Sequence, residues 1–526
     1  MKKEILIALI CVGLILISPL TLGYNIKSNI INIKLSSDKS PVIQWDKRYG
    51  GEGVTDQCHS VRQTSDKGYI LCGWSAYYSP FGWYDGWLVK TDENGKMIWN
   101  ESYGIPNPNG LDEAWSVEQT TDGGYIFCGG NADDAAWLVK IDCNGSIEWD
   151  KPYDIGGSFY SVKQAPDGGY VAGGFNESAK PILMKTYANG TEQWRSEWVF
   201  GPHHHTVTSI GVTSVNGFIL TGYVVPFGGD DRIIFLIKTD SNGVEEFNKT
   251  FERDGYTIQS ESVRQTSDGG YILVGSKISE NTPPSVLLIK TDGEGNETWN
   301  RTYHCSFSDK WFGEDVQQTN DDGFIIIARE DDIYAASWLI KTDSDGDVEW
   351  DLIIGGFEYK RVKLVSFQQT SDGGFILAGD GREINSTLDD YYLMKINMID
   401  DSPPDKPEFD GPSSGKIYAK YTFTASTTDP DGDDIYYIFD WSDDSNSGWF
   451  GPYKSGEEIS ASHRWTKFEL WDGLIRVRAK DSHNVMSEWS EPIHFTVPRN
   501  RITDNFFLLR LLERIPVLER LLNQIR

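Results

Sequence analysis

Seven copies of one short segment constrain this chain more than any other feature. The motif Gln-Thr-x-Asp-Gly-Gly-Tyr, with Phe for Tyr in the last two copies, recurs at residues 63–69, 119–125, 164–170, 265–271, 318–324 and 369–375, with a degenerate copy ending at Asn216-Gly217-Phe218. From Tyr69 to Phe375 the aromatic anchors are 306 residues apart over six intervals, a mean period of 51. That period suits four strands per unit, as in a propeller blade. Each unit reads as a Ser-Val-x-Gln-Thr strand, a tight Asp-Gly-Gly turn, a Gly-Tyr-Ile strand, a variable loop, a Trp-Leu-Val-Lys-Thr-Asp strand, a glycine turn and a strand centred on tryptophan. The fourth-strand aromatic occurs only six times within the units, at Trp99, Trp149, Trp194, Phe247, Trp299 and Trp350. Trp45, ahead of the first full unit, supplies the seventh. A chain that lends its first strand to its last unit closes a ring and leaves no open edge. The expectation is an all-β fold: a seven-bladed propeller over residues 42–399, closed by its N-terminal strand.

The chain carries 48 lysines and arginines against 78 aspartates and glutamates, a formal charge of −30. This excludes a nucleic-acid binder that works by neutralising phosphates. Residues 5–17 form an apolar run after Lys2-Lys3, followed by small or uncharged residues up to Gly23. The run is short for a membrane span and reads as a signal peptide over residues 1–23, with an uncleaved anchor as the alternative. Five cysteines would remain, an odd number that does not make a disulfide scaffold. Cys72 and Cys128 fall at a small, apolar repeat position and are expected in the core. Eight Asn-x-Ser/Thr sequons suit an exported glycoprotein, although Asn100, Asn248 and Asn300 share one repeat position.

These motifs resemble the repeats of secreted prokaryotic β-propellers, and the Lys-Thr-Asp-x-x-Gly-x-x-x-Trp segment is similar to the repeat of quinoprotein-like propellers. The resemblance covers residues 42–399 and implies the fold. It does not carry the quinoprotein activity, because cofactor-contacting residues and a calcium site of that kind cannot be placed here.

Two turns in each unit are short and uniform and fall on one face, so the variable connections share the other, where function concentrates. The first variable loop holds Trp74, Tyr77, Tyr78, Phe81, Trp83 and Tyr84, a set suited to stacking on sugars or anchoring a peptide, or else to folding on itself. Acidic pairs at Asp133-Asp134, Asp230-Asp231, Asp331-Asp332 and Asp389-Asp390 offer carboxylates on that rim or cap turns there. His203-His204-His205 lies between the third and fourth units, as a metal candidate or a solvated loop.

Residues 400–407, rich in proline, read as a linker. Residues 408–498 then read as short strands sufficient for an immunoglobulin-like sandwich. Within them Asp429-Pro430-Asp431-Gly432-Asp433, Tyr437-Ile438-Phe439-Asp440-Trp441, Ser462-His463-Arg464-Trp465 and Val477-Arg478-Ala479-Lys480-Asp481 resemble the polycystic kidney disease (PKD) repeat and related fibronectin-like modules, which implies a spacer or adhesion role. Asp429, Asp431 and Asp433 stand at alternate positions that could offer carboxylates to Ca2+ or bond within a turn. Residues 503–526 read as an amphipathic helical tail interrupted by Pro516. Residues 499–526 carry a net +3 while the rest carries −33. The tail suits a lipid interface through residues 504–526, a second copy, or packing on the sandwich.

The sequence thus predicts an exported protein, extracellular or held at the cell surface, that binds an envelope glycan or a surface protein. A secreted propeller enzyme (a glycan hydrolase or lyase, or a quinoprotein-like oxidoreductase) and a structural envelope component are the alternatives. No residue is assigned a catalytic role. A central pocket with converging carboxylates, arginine or histidine, as against a broad shallow surface, separates these readings.

Overall fold

The repeated motif builds its own turn. Asp66 Oδ1 accepts the Gly68 N–H at 3.0 Å, and Asp122, Asp167, Asp268, Asp321 and Asp372 do the same for the glycine two residues on. The lysine of Lys-Thr-Asp, whose stem is buried, then reaches that carboxylate: Lys90 to Asp66 at 2.9 Å, Lys185 to Asp167 at 2.8 Å, Lys290 to Asp268 at 2.7 Å. A buried ammonium requires such a partner. In the degenerate fourth copy Val215 replaces the aspartate, and Lys238 pairs with Glu246 at 2.8 Å instead.

A computed structural model describes residues 39–497, apart from 52, 77–83, 106–109, 201–204, 226–230, 254, 280–281, 306–307, 309, 331–334, 356–359, 384–385, 387, 417, 444, 467–470 and 484. The expected signal peptide and helical tail lie outside the described residues. Between residues 39 and 400 the described chain forms seven four-stranded antiparallel sheets. The first comprises Asp56–Gln63, Tyr69–Ser75, Asp85–Thr91 and Met97–Tyr103 in sequence order. The next five repeat this meander, with first strands Glu113–Gln119, Ser158–Gln164, Thr206–Val212, Thr257–Gln265 and Trp311–Gln318. The seventh contains Lys360–Gln369, Phe375–Glu383 and Asp390–Asp400, and its fourth strand is Lys39–Tyr49, which pairs antiparallel with Asp390–Asp400. These blade-like sheets fit a β-propeller.

Consecutive sheets bury apolar faces against one another. Ile70, Cys72 and Leu88 of the first pack with Val117, Tyr125, Phe127 and Trp137 of the second. The first and seventh share a core of the same kind, with Val61, Leu71 and Trp87 against Ile376, Tyr391 and Leu393. Trp45 and Tyr49 make toward the first sheet the contacts that Trp99 and Tyr103 make toward the second. The Tyr49 hydroxyl donates to the Gly95 carbonyl and the Tyr103 hydroxyl to that of Gly145. Gly95, at φ +74°, lies so close to the Trp45 ring that a Cβ would come within 2.7 Å of it, so the turn requires glycine both for its dihedral and for space.

The cysteines at the small repeat position are buried as expected, and Cys58 is buried too; Cys58, Cys72, Cys128 and Cys143 are free thiols.

After residue 400 the described chain forms two further sheets, Glu408–Asp410 with Tyr421–Ser426 and Ile459–His463, and Phe450–Tyr453 with Ile435–Asp440, Trp471–Lys480 and Ile493–Val497. Phe423 and Ile459 from one sheet meet Tyr437, Phe439, Val477 and Phe495 from the other, with Trp441 and Trp465 completing an aromatic core.

Candidate functional site

One irregularity recurs in the first strand of all seven sheets. The register slips by one residue between Cys58 and Ser60, and at the equivalent place in each of the others. The residues left unpaired are His59, Trp115, Tyr160, Thr208, Glu261, Glu314 and Val365. A bulge re-aims the side chain of its extra residue. All seven line one cavity of about 520 Å³. Its wall is completed by Gln57, Gln259, Arg232, Arg329, Lys363 and Asp380, among others. The bulges sit toward the end at which the chain enters from the variable connections, so the cavity belongs to the variable half of the fold.

The wall divides by chemistry. On one side His59 stacks on Trp115 at 4.1 Å, Trp115 meets Tyr160 edge-on at 5.1 Å, and the Arg232 guanidinium lies 4.5 Å over the Tyr223 ring. Arg232 also donates to Gln259 at 2.5 Å and so joins that side to the other, where Gln259 donates to Glu261 at 3.1 Å and Arg329 Nε donates to Glu314 Oε1 at 2.6 Å. Asp380 accepts the Cys58 N–H at 2.9 Å, a contact between the seventh and first sheets.

Burial governs the protonation of these groups. It pushes Glu261 up to about 8, with the neighbouring Glu314 adding to the effect, and pushes Asp380 up to about 7. Glu314 is raised by burial, against the opposing pull of Arg329. His59 is held down at about 4 by burial, so it stands neutral, and its Nε2 is buried without a hydrogen-bond partner. Further along the first strands lies a second polar layer. Lys163 bonds Glu118 at 3.3 Å, Arg264 reaches Asp315 at 3.1 Å, and Arg62 feels both acids. Burial lowers Lys163 to about 8.

Of the aromatic loop, Trp74 and Tyr84 are described, and the rest (Tyr77, Tyr78, Phe81 and Trp83) lie outside the described residues. Trp74 is 7% exposed and its ring lies 4.0 Å from that of Tyr84, so these two pack on each other. Of the histidine run only His205 is described. It is buried, and its Nδ1 accepts the Val225 N–H at 3.1 Å. Among the acidic pairs, Asp389 is bound by Arg361 at 2.5 Å, and Asp231 accepts the Thr257 hydroxyl. Asp429 Oδ1 accepts the N–H groups of Asp431 and Asp433, a bonded turn, while Asp431 Oδ2 accepts the Ser402 N–H at 2.6 Å.

No family model matches this chain, and no curated protein matches it. Solved structures do. A PKD domain of an M14-like peptidase from Thermoplasmatales archaeon SCGC AB-540-F20 is 41% identical, covering 19% of this chain and 98% of that one, with a TM-score of 0.18. The WD40 domain of Neurospora crassa Pan2 is 10% identical, covering 69% of this chain and 97% of its own, at a TM-score of 0.43. Prolyl oligopeptidase B from Galerina marginata is 9% identical, covering 71% of this chain and 55% of its own, at 0.35. The fold itself defines an all-β protein of blade-like, four-stranded antiparallel sheets.

Proposed function

We propose that this chain is an exported, surface-associated binding protein whose seven sheets close into one ring and whose ligand, a saccharide segment of an envelope glycan, enters the central cavity from the variable face. The observation that carries this reading is the cavity built from the bulged residue of every first strand. Its carboxyl, guanidinium and amide groups suit the paired hydroxyls of a sugar, and the His59–Trp115–Tyr160 wall offers apolar ring surface beside them. Its dimensions fall within the range of small-ligand sites. A saccharide rather than a nucleotide fits the protein's strong negative charge. The aromatic loop Trp74 to Tyr84 contributes a further contact for the glycan, the PKD-like sandwich serves as a spacer, and residues 504–526 attach the assembly to an anionic lipid interface. Flotation of the chain with anionic liposomes, abolished by truncation at residue 501, tests that attachment.

The binding test compares two variants against a glycan array. Glu261→Gln with Arg329→Met alters only the cavity, whereas Tyr77→Ser with Trp83→Ser alters only the loop. Loss of a bound glycan in the cavity variant, with at most a reduction in the loop variant, supports this reading. Equal binding by wild type and the cavity variant overturns it.

A second reading is favoured by one specific feature: Glu261 is held protonated beside Glu314, the state of a general acid in glycoside cleavage. Release of reducing ends from a bound glycan, lost in Glu261→Gln without loss of binding, would select the enzyme over the binding protein.

A further inference from the structure

Where the chain leaves the seventh sheet, its next residue is a buried carboxylate. Asp401 follows the strand Asp390–Asp400 directly and is 4% exposed. Two loops of the sandwich bring further aspartates beside it, Asp429 at 5% and Asp481 at 0% exposed. Both of these close the same kind of turn. Asp429 Oδ1 accepts the N–H groups of Asp431 and Asp433 at 3.0 and 3.1 Å, and Asp481 Oδ1 accepts those of His483 and Val485 at 2.8 and 2.9 Å. In each turn one oxygen is satisfied and the other is not. Asp429 Oδ2, Asp481 Oδ2 and both oxygens of Asp401 are buried with no hydrogen-bond donor.

Four buried, donorless carboxylate oxygens in three neighbouring side chains are not what a turn requires, since native interiors satisfy their buried acceptors. A cation seated among these side chains would supply the missing partners. Asp433 adds a fourth carboxylate: its Oδ2 lies 3.1 Å from His483 Nδ1, which is itself 3.4 Å from Asp401 Oδ2, and ligand atoms of these three residues lie within 4.8 Å of one another. The donor set is dominated by hard carboxylate oxygens, with a single imidazole at its edge. That chemistry selects Ca2+, which takes about six to eight oxygen ligands, over a transition metal that prefers nitrogen or sulfur.

We propose that Asp401, Asp429, Asp433 and Asp481 hold one Ca2+ ion, and that this ion pins the linker to the sandwich. The alternate aspartates of residues 429–433 are thus only part of the ligand set. Asp431 takes another role, holding the linker through the Ser402 N–H at 2.6 Å. The ion joins three chain segments: the first residue after the seventh sheet, the 429–433 loop and the 481–485 loop. Ca2+ therefore sets how stiffly the sandwich is carried on the propeller.

The test is calorimetric titration of the full chain, freed of metal with a chelator, with Ca2+, Mg2+ and Zn2+ in turn, alongside thermal melting. One equivalent of Ca2+ is expected to bind and to raise the melting temperature of the sandwich transition, and Asp401→Asn and Asp481→Asn are each expected to weaken Ca2+ at least tenfold. Asp410→Asn, in the same domain but outside the cluster, is expected to bind as wild type does. If Asp481→Asn does not fold, Asp401→Asn in the linker decides alone. Absence of Ca2+ binding by the folded wild-type chain, or Ca2+ binding unchanged in Asp401→Asn, overturns the proposal. So does tighter binding of Zn2+ that depends on His483 and survives Asp401→Asn.

Discussion

The backbone N–H of Ser371 donates to the side-chain oxygen of Gln63 at 2.9 Å, across 308 residues of sequence. The same bond recurs between consecutive sheets, from Ser65 to Gln119, Thr121 to Gln164, Ser214 to Gln265 and Ser267 to Gln318. Among the described residues it is not one of the bonds between the sixth and seventh sheets, and its absence between the third and fourth has a cause on both sides: Pro166 has no N–H to give, and Val212 stands where the glutamine would be. A second repeated bond behaves alike. Ser116, Ser161 and Ser209 accept from Val162, Ile210 and Val263 of the following sheet, and Ser366 accepts from Val61 of the first. The seventh sheet therefore meets the first through the bonds that join its predecessors.

This equivalence predicts equal costs. Gln63→Ala and Gln119→Ala should each destabilise the chain by about 1 kcal/mol, the usual worth of a hydrogen bond lost at a half-exposed site. Urea denaturation of the two variants checks it. A neutral Gln63→Ala beside a costly Gln119→Ala would mean that the two sheets are not joined as the others are.

The fourth repeat offers a gain instead of a loss. Val215 is 66% exposed and occupies the position of the turn aspartate. Val215→Asp should recover the bonds to the Gly217 N–H and to Lys238 that its counterparts make, raising stability by about 0.5–1.5 kcal/mol. A lower melting temperature for Val215→Asp would show that Lys238 is better served by Glu246.

His59 sets a pH dependence of definite sign. Its folded pKa of about 4 lies below the ordinary 6.5, so between those values the unfolded chain binds more protons than the folded one. Its contribution to stability is therefore intact above pH 6.5 and is lost as the pH falls toward 4. Asp380, raised to about 7, acts in the opposite sense, gaining as the pH falls through the same window. His59→Phe keeps the stack on Trp115 and removes the titration. Denaturation midpoints at pH 6.5 and 4.5 should show wild type losing stability relative to this variant on acidification, and a parallel response would mean His59 protonates freely in the fold.

What the sequence disclosed follows from how the repeat works. Aspartate, glycine, lysine and tryptophan recur because each turn and each junction needs them, so comparing the copies finds the sheets, the turns and the role of Trp45. The same comparison hides the site. His59, Trp115, Tyr160, Thr208, Glu261, Glu314 and Val365 share one position, next to a recurring small or acidic residue, yet range from aromatic to acidic to aliphatic. Variation at a fixed position inside a strand, not in a loop, was the available signal. The bulge that turns those side chains inward leaves no mark in a single strand. The sequence leaves Trp74 and Tyr84 open between a stacking surface and a loop folded on itself, because composition does not show that the two rings pack on each other. Asp401 carries no signal of its own in the sequence, because its neighbours Asp429 and Asp481 are distant in sequence and meet it only through the sandwich.

All of this depends on the ring being closed by its first strand. The direct measurement compares the melting temperature and oligomeric state of a chain beginning at residue 39 with one beginning at residue 51. Removing residues 39–50 should uncover the edge of Asp390–Asp400, lower the melting temperature by at least about 5 °C and promote association. A truncated chain that melts at the same temperature and stays monomeric would contradict it.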